Sequence, residues 1–226
     1  MSLSSSRLLA LTGALWILLL IIGNDVLGQS DAAPMPSDGP QVFADYYAQH
    51  NGGRAWAGVA VELAGFAAGM VFIATIASRI RSIEVVSQLV LVAGTMALAV
   101  KLGSGAMLLT VLYRADDGLS PEFIRALSDL SSVGFVVTFL PQAVFAAAAA
   151  IGLRRANAVA PWVSWSGIGA AVALVAGMPF AMEGPGFIGM LLLLVWVIAC
   201  SVNLALRSGD SQEKLSSKAP VISQVA

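Results

Sequence analysis

The sequence predicts an all-α protein, a polytopic transmembrane helical bundle of about six spans with both termini on the cytoplasmic side, and three observations carry that reading. Of its 226 residues, 58% are hydrophobic and only 11% charged, where an ordinary soluble domain carries about 25% charge. Six apolar stretches each reach the roughly 20 helical residues needed to cross a hydrocarbon core about 30 Å thick. Basic residues also gather on alternate connections between these stretches, as the positive-inside bias requires. Within lipid every backbone N–H and C=O must be paired inside the chain, so the stretches read as helices.

The first span runs from Leu8 to about Leu27, the second over Ala55–Ala77 and the third over about Val85–Leu112. The fourth covers about Phe123–Leu153, the fifth Trp162–Met182 and the sixth Phe187–Leu206. Together they make one domain over residues 1–210. Arg7, a long apolar run and Val26-Leu27-Gly28 also fit a secretory signal peptide cleaved after Gly28, which would leave five spans. The length of the run favours retention as a helix.

With the N-terminus inside, the inner segments carry Arg7, Arg79, Arg81, Arg154, Arg155, Arg207, Lys214 and Lys218. The outer segments carry Arg54, Arg114 and Arg125, beside Asp31, Asp38, Asp45, Asp116, Asp117, Glu122 and Glu183. Eight basic residues against three fix the orientation. Trp56 and Tyr113 then anchor the outer boundary, Trp162 and Trp165 the inner one.

The outer loop, residues 29–54, has two halves. Pro34, Pro36, Gly39 and Pro40 make the first irregular. In the second, Phe43, Tyr46, Tyr47 and His50 fall at i, i+3, i+4 and i+7. That spacing predicts a short amphipathic helix, lying on the membrane surface or capping the bundle. Residues 211–226 form a polar tail whose composition predicts disorder.

Composition excludes several functions. A net charge of −1 offers no basic field for nucleic acid. Cys200 is the only cysteine and His50 the only histidine, so no intrachain disulfide is available and no metal-ligand spacing stands out. Asp116-Asp117-Gly118 lacks the rest of a calcium loop and reads as a turn. No cofactor is expected. The serines have no histidine base in any span, so an intramembrane enzyme ranks last among the readings.

Polarity within the spans is the remaining signal, because an ionisable group there costs about 2.5–3.5 kcal/mol on insertion scales and usually faces the bundle interior. Glu62 shares a face of the second span with Gly58, Gly65 and Gly69, and the Gly65–Gly69 spacing admits a close helix neighbour. Lys101 recurs at intervals of seven with Ser87 and Gly94, and helical rise puts it about 18 Å below the outer boundary. Asp129 lies two turns into a fourth span that Ser120 and Pro121 can initiate. Arg125, Ser128, Ser131, Ser132, Thr138 and Gln142 follow along one broad side of that span. Pro141 and Pro179 remove one backbone bond each, so the fourth and fifth helices should bend.

The expected site is therefore Lys101 counter-charged by Glu62 or Asp129 beneath an outward-facing polar pocket, with Ser132 and Gln142 as further ligand or ion-pair candidates. Such a pocket suits a proton, an ion or a small polar ligand. An ion pair that only fixes helix register is the competing structural reading.

Several segments resemble a family of small multi-spanning proteins of actinobacteria known only as a domain of unknown function. They are Val42-Phe43-Ala44-Asp45-Tyr46-Tyr47 with Arg54 and the glycine-rich second span; Leu127–Pro141 leading into Leu153-Arg154-Arg155; and Pro161-Trp162-Val163-Ser164-Trp165-Ser166-Gly167. The likeness covers most of residues 8–206. It implies a helical bundle in the bacterial cytoplasmic membrane and brings no activity or site residue with it. The leading functional expectation is a small transporter-like or ligand-binding membrane protein. The alternative is a structural, accessory or sensor subunit whose glycine faces pack against another membrane protein. The bilayer is the partner common to both.

Overall fold

A computed structural model describes residues 5–27, 33–35, 37–114, 117–181 and 186–217. Asp31, Asp116, Glu183 and Lys218, which enter the orientation argument, lie outside them, as do Gly28, Pro36, Met182 and residues 218–226 of the tail. The described residues are helical, without strands, and six helices are long and apolar enough to cross a membrane.

The first span is α1 (Ser5–Ile21), which widens at its end into a π turn, Ile22–Leu27. Next comes α2 (Pro40–Gln49), the short amphipathic helix expected in the outer loop. The second and third spans are α3 (Gly53–Arg79) and α4 (Glu84–Tyr113). The fourth is divided into α5 (Pro121–Val137) and α6 (Phe139–Arg155). The fifth is α7 (Pro161–Gly177) and the sixth α8 (Phe187–Ser217), whose backbone helix continues into the stretch read from composition as a tail.

The prolines act where the sequence places them. Pro121 follows Ser120, whose Oγ accepts the Phe123 N–H at 3.3 Å, so the fourth span starts with a side-chain cap. Pro141 has no N–H to give Val137, and the helix breaks at Thr138, whose hydroxyl donates to the Phe135 carbonyl at 2.6 Å. Pro179 differs from expectation. It does not bend a continuing helix; α7 stops at Gly177 and the chain turns through a 3-10 segment, Met178–Phe180.

Packing closes the spans into a ring, in the order α3, α1, α8, α7, α6, α4 and back to α3. The break at Thr138 lets α5 leave that ring and lie against α4 and α2. Small residues set the close approaches. Gly69 leaves room for the Trp16 ring, 2.8 Å from where a Cβ would stand, and Gly65 does the same for Leu19. The Gly65–Gly69 face is thus filled by α1. Gly23 in the π turn approaches the Gly58 carbonyl and the Glu62 backbone equally closely.

Polar groups bind the spans together. Fully buried Ser201 of α8 accepts the Ala14 N–H at 3.0 Å and donates to the Ala10 carbonyl at 2.6 Å, inserting into the backbone ladder of α1. Ser87 donates to the Ala77 carbonyl at 2.9 Å across the α3–α4 hairpin. At the opposite end of the bundle from α2, Asn203 accepts the Ala160 N–H at 2.9 Å and the Arg154 guanidinium lies 4.7 Å over the Trp165 ring. Exposed apolar side chains such as Leu18, Val92, Val172 and Val195 cover the outside of the ring, where lipid is their solvent.

Candidate functional site

The α2 helix is a cap, not a free surface helix. Phe43 is buried against Val111 of α4 and Ile124 of α5, with Tyr47 and Leu127 beside them. Arg125 strengthens the attachment. Its guanidinium stacks 4.7 Å over the Phe43 ring, its Nη1 donates to the Asp38 carbonyl, and its Nε meets both carboxylate oxygens of Asp129 at 3.0 Å. The Tyr47 hydroxyl lies 3.5 Å from Ser128 Oγ, and burial raises the Tyr47 phenol above its ordinary value, partly opposed by that hydrogen bond.

Beneath α2 lies a cavity of about 230 Å³. Tyr46, Tyr47 and His50 form its roof, and His50 stacks on Tyr46 with centroids 4.3 Å apart while its Nδ1 lies 2.7 Å from the Tyr46 carbonyl. Asn24 of the π turn, Glu62 of α3, Lys101 of α4 and Ser131 of α5 supply the polar groups of its wall. Leucines of α3 and α4 and the open face of Gly105 complete it. A π turn beside such a wall follows a pattern common at functional sites, because one extra residue in the turn re-aims its side chains.

Glu62 and Lys101 share this cavity and attract each other electrostatically. They do not touch. Among the described residues Arg114–Asp117 and Arg125–Asp129 form ion pairs within 4.0 Å, whereas Glu62 and Lys101 do not pair, and neither of their side chains makes a hydrogen bond; the bond from Ser104 Oγ goes to the Lys101 backbone carbonyl. The Lys101 ammonium instead lies 4.9 Å from the centre of the Phe135 ring. A carboxylate and an ammonium facing one cavity, each without a hydrogen-bonded partner, leave their strongest interactions to whatever fills the space between.

A smaller chamber of about 80 Å³ lies deeper in the ring. Lys101 and Phe66 line both spaces and form their common wall. Trp16, Phe135, Gln142, Phe145 and Leu193 surround the inner chamber. Trp16 Nε1 and Gln142 Oε1 are buried there without a hydrogen bond, which costs about 1–3 kcal/mol for each group left unsatisfied.

Of the five residues expected from sequence, the structure brings Glu62 and Lys101 to the outer cavity and Lys101 and Gln142 to the inner one. Asp129 is elsewhere, exposed and bound to Arg125 one helical turn away, so it is not the counter-charge of Lys101. Ser132 is exposed and donates to the Ser128 carbonyl at 3.0 Å, while its neighbour Ser131 lines the cavity. The Arg125–Asp129 pair was legible as an i, i+4 spacing of opposite charges. Tyr46, His50, Asn24 and Trp16 carry no local signal of this kind. They reach the two chambers only because α1 and α2 fold over α3 and α4.

Compared with protein-family models, curated proteins and solved structures, the chain matches none.

Proposed function

We propose that this integral membrane protein binds a small polar solute, or carries it across the bilayer, through the cavity beneath α2. The observation that carries the reading is the placement of Glu62 and Lys101 in one cavity without a contact ion pair. A ligand with a cationic group for Glu62 and an anionic group for Lys101 complements both charges, so a small zwitterion fits better than a simple ion. The aromatic roof of Tyr46, Tyr47 and His50 offers a surface for its apolar part. Charge bias puts this end of the bundle outside the cell. The reading takes that membrane to be a bacterial cytoplasmic one, as the segment resemblance implies.

The alternative role as a structural, accessory or sensor subunit depends on glycine faces free to meet a partner. The Gly65–Gly69 face is already occupied by α1, which favours the ligand-binding reading.

The test uses the full chain in lipid nanodiscs and measures thermal unfolding with glycine, betaine and taurine, with acetate and methylammonium as singly charged controls. At least one zwitterion should raise the unfolding temperature and the controls should not. Lys101→Met and Glu62→Gln should each weaken that ligand more than tenfold, since a hydrogen bond to a charged group contributes about 1.5–3 kcal/mol. Gly105→Leu should block the cavity sterically, because nothing stands within 4 Å of a Cβ at that position. A binding zwitterion indifferent to Lys101→Met and Gly105→Leu, or a panel without any shift, would refute the proposal.

A further inference from the structure

Inside a transmembrane bundle lipid offers no hydrogen bonds, so interior polar groups find partners in protein or in something the protein holds. Trp16 Nε1 can only donate, and Gln142 Oε1 can only accept. Both are buried without a partner, and although they belong to α1 and α6 they line the same inner chamber. Ser164 Oγ is also buried without a partner but does not line the chamber. The residues that carry the donor and the acceptor therefore border one space.

The remaining wall selects what that space can hold. Ile17, Leu98, Phe145, Leu193 and Val197 make it apolar, and Lys101 is its one charged residue, with the ammonium lying on the Phe135 ring. A volume of about 80 Å³ is roughly half that of a cavity known to admit benzene, which sets the occupant at about three to five heavy atoms. A free cation would face both the Trp16 N–H and Lys101, and a free anion would leave the Gln142 oxygen without a donor in the observed orientation of its amide. A neutral molecule with one acceptor and one donor meets every wall.

We infer that the inner chamber is a second binding site, for a small neutral hydrogen-bonding molecule of the primary amide class. Its carbonyl accepts from Trp16 Nε1, its N–H donates to Gln142 Oε1, and its carbon end lies on the apolar wall. Lys101 and Phe66, common to both spaces, stand between this site and the cavity beneath α2. The inner site takes an uncharged ligand, so it is chemically distinct from the proposed zwitterion site.

The experiment titrates acetamide against the full chain in nanodiscs and follows the unfolding temperature, with acetate and methylammonium as charged controls of similar size. Acetamide should raise the unfolding temperature with saturation below about 100 mM, as a ligand selective for the folded state must, and the controls should not. Trp16→Phe and Gln142→Met should each weaken acetamide at least tenfold while leaving the zwitterion response of the outer cavity in place. Trp16→Phe keeps a ring to pack on Gly69, so it carries the test if Gln142→Met does not fold. The inference is overturned if acetamide gives no shift, which is the outcome for a chamber that holds only water. It is equally overturned if the charged controls bind as well, or if Trp16→Phe binds acetamide like the wild type.

Discussion

Gly167 occupies the tightest place against a large side chain in the α7–α8 contact, and replacing it by alanine tests the packing of the ring directly. A Cβ there would stand 2.5 Å from Trp196 Nε1, 2.7 Å from its Cε2 and 3.0 Å from the Ala150 Cβ. Carbon contacts are comfortable at about 3.5–4.0 Å, so the indole must retreat by roughly 1 Å. It has little freedom to do so. Trp196 is 2% exposed, meets the Phe145 ring edge-on at 6.0 Å, and donates its N–H to the Val163 carbonyl at 3.0 Å. Overpacking costs about 1–3 kcal/mol and stranding the indole N–H about 1–3 more. The gain in helix propensity from Gly to Ala returns about 1. Gly167→Ala should therefore lose about 1–5 kcal/mol on balance. Gly169→Ala, two positions further along the same helix, has nothing within 4 Å of its Cβ and should gain up to about 1 kcal/mol.

The assay is equilibrium unfolding in mixed micelles, read by circular dichroism. A double-mutant cycle adds Trp196→Phe, which removes the clashing atoms. The two changes should couple by at least about 1 kcal/mol, because residues in contact are not additive. Equal stability of the Gly167→Ala and Gly169→Ala proteins, or strict additivity in the cycle, would refute the packing argument.

Two further outcomes are expected. Ser201→Ala removes both hydrogen bonds that α8 makes to the α1 backbone and should cost about 1–2 kcal/mol in the same titration, since such bonds average about 0.6 and reach about 1.7 kcal/mol in a membrane protein; an unchanged midpoint would show that Ala10 and Ala14 re-pair without loss. Tyr47 is held in its neutral form by burial, so above the ordinary phenol value the folded protein binds a proton that the unfolded chain has released, and stability falls as pH rises past about 10. Absorbance titration should show a late phenol component that Tyr47→Phe abolishes, and that variant should lose less stability at high pH than the wild type; a titration curve whose late part is unchanged by Tyr47→Phe would contradict the burial of Tyr47.

The number of apolar spans, the cap at Ser120, an irregularity at Pro141 and the existence of α2 are all determined by sequence alone. Each rests on a local cause: an apolar run long enough for the bilayer, a hydroxyl ahead of a proline, a missing N–H, or hydrophobic residues at helical spacing. These causes act within a turn or along one helix, so no knowledge of neighbours is needed. Tertiary structure decided which of the costly polar groups meet. Depth along the membrane made Glu62 and Asp129 equal partners for Lys101, because helical rise gives height but not the rotation or the order of helices around the ring. The observed order puts α3 beside α4 and turns Glu62 toward the space Lys101 faces, while Asp129 is satisfied by Arg125 on its own helix. Trp16 and Gln142 likewise share a chamber only because α1 and α6 belong to one closed ring. A helix's own sequence records which of its faces is polar. It does not record what that face will be turned toward.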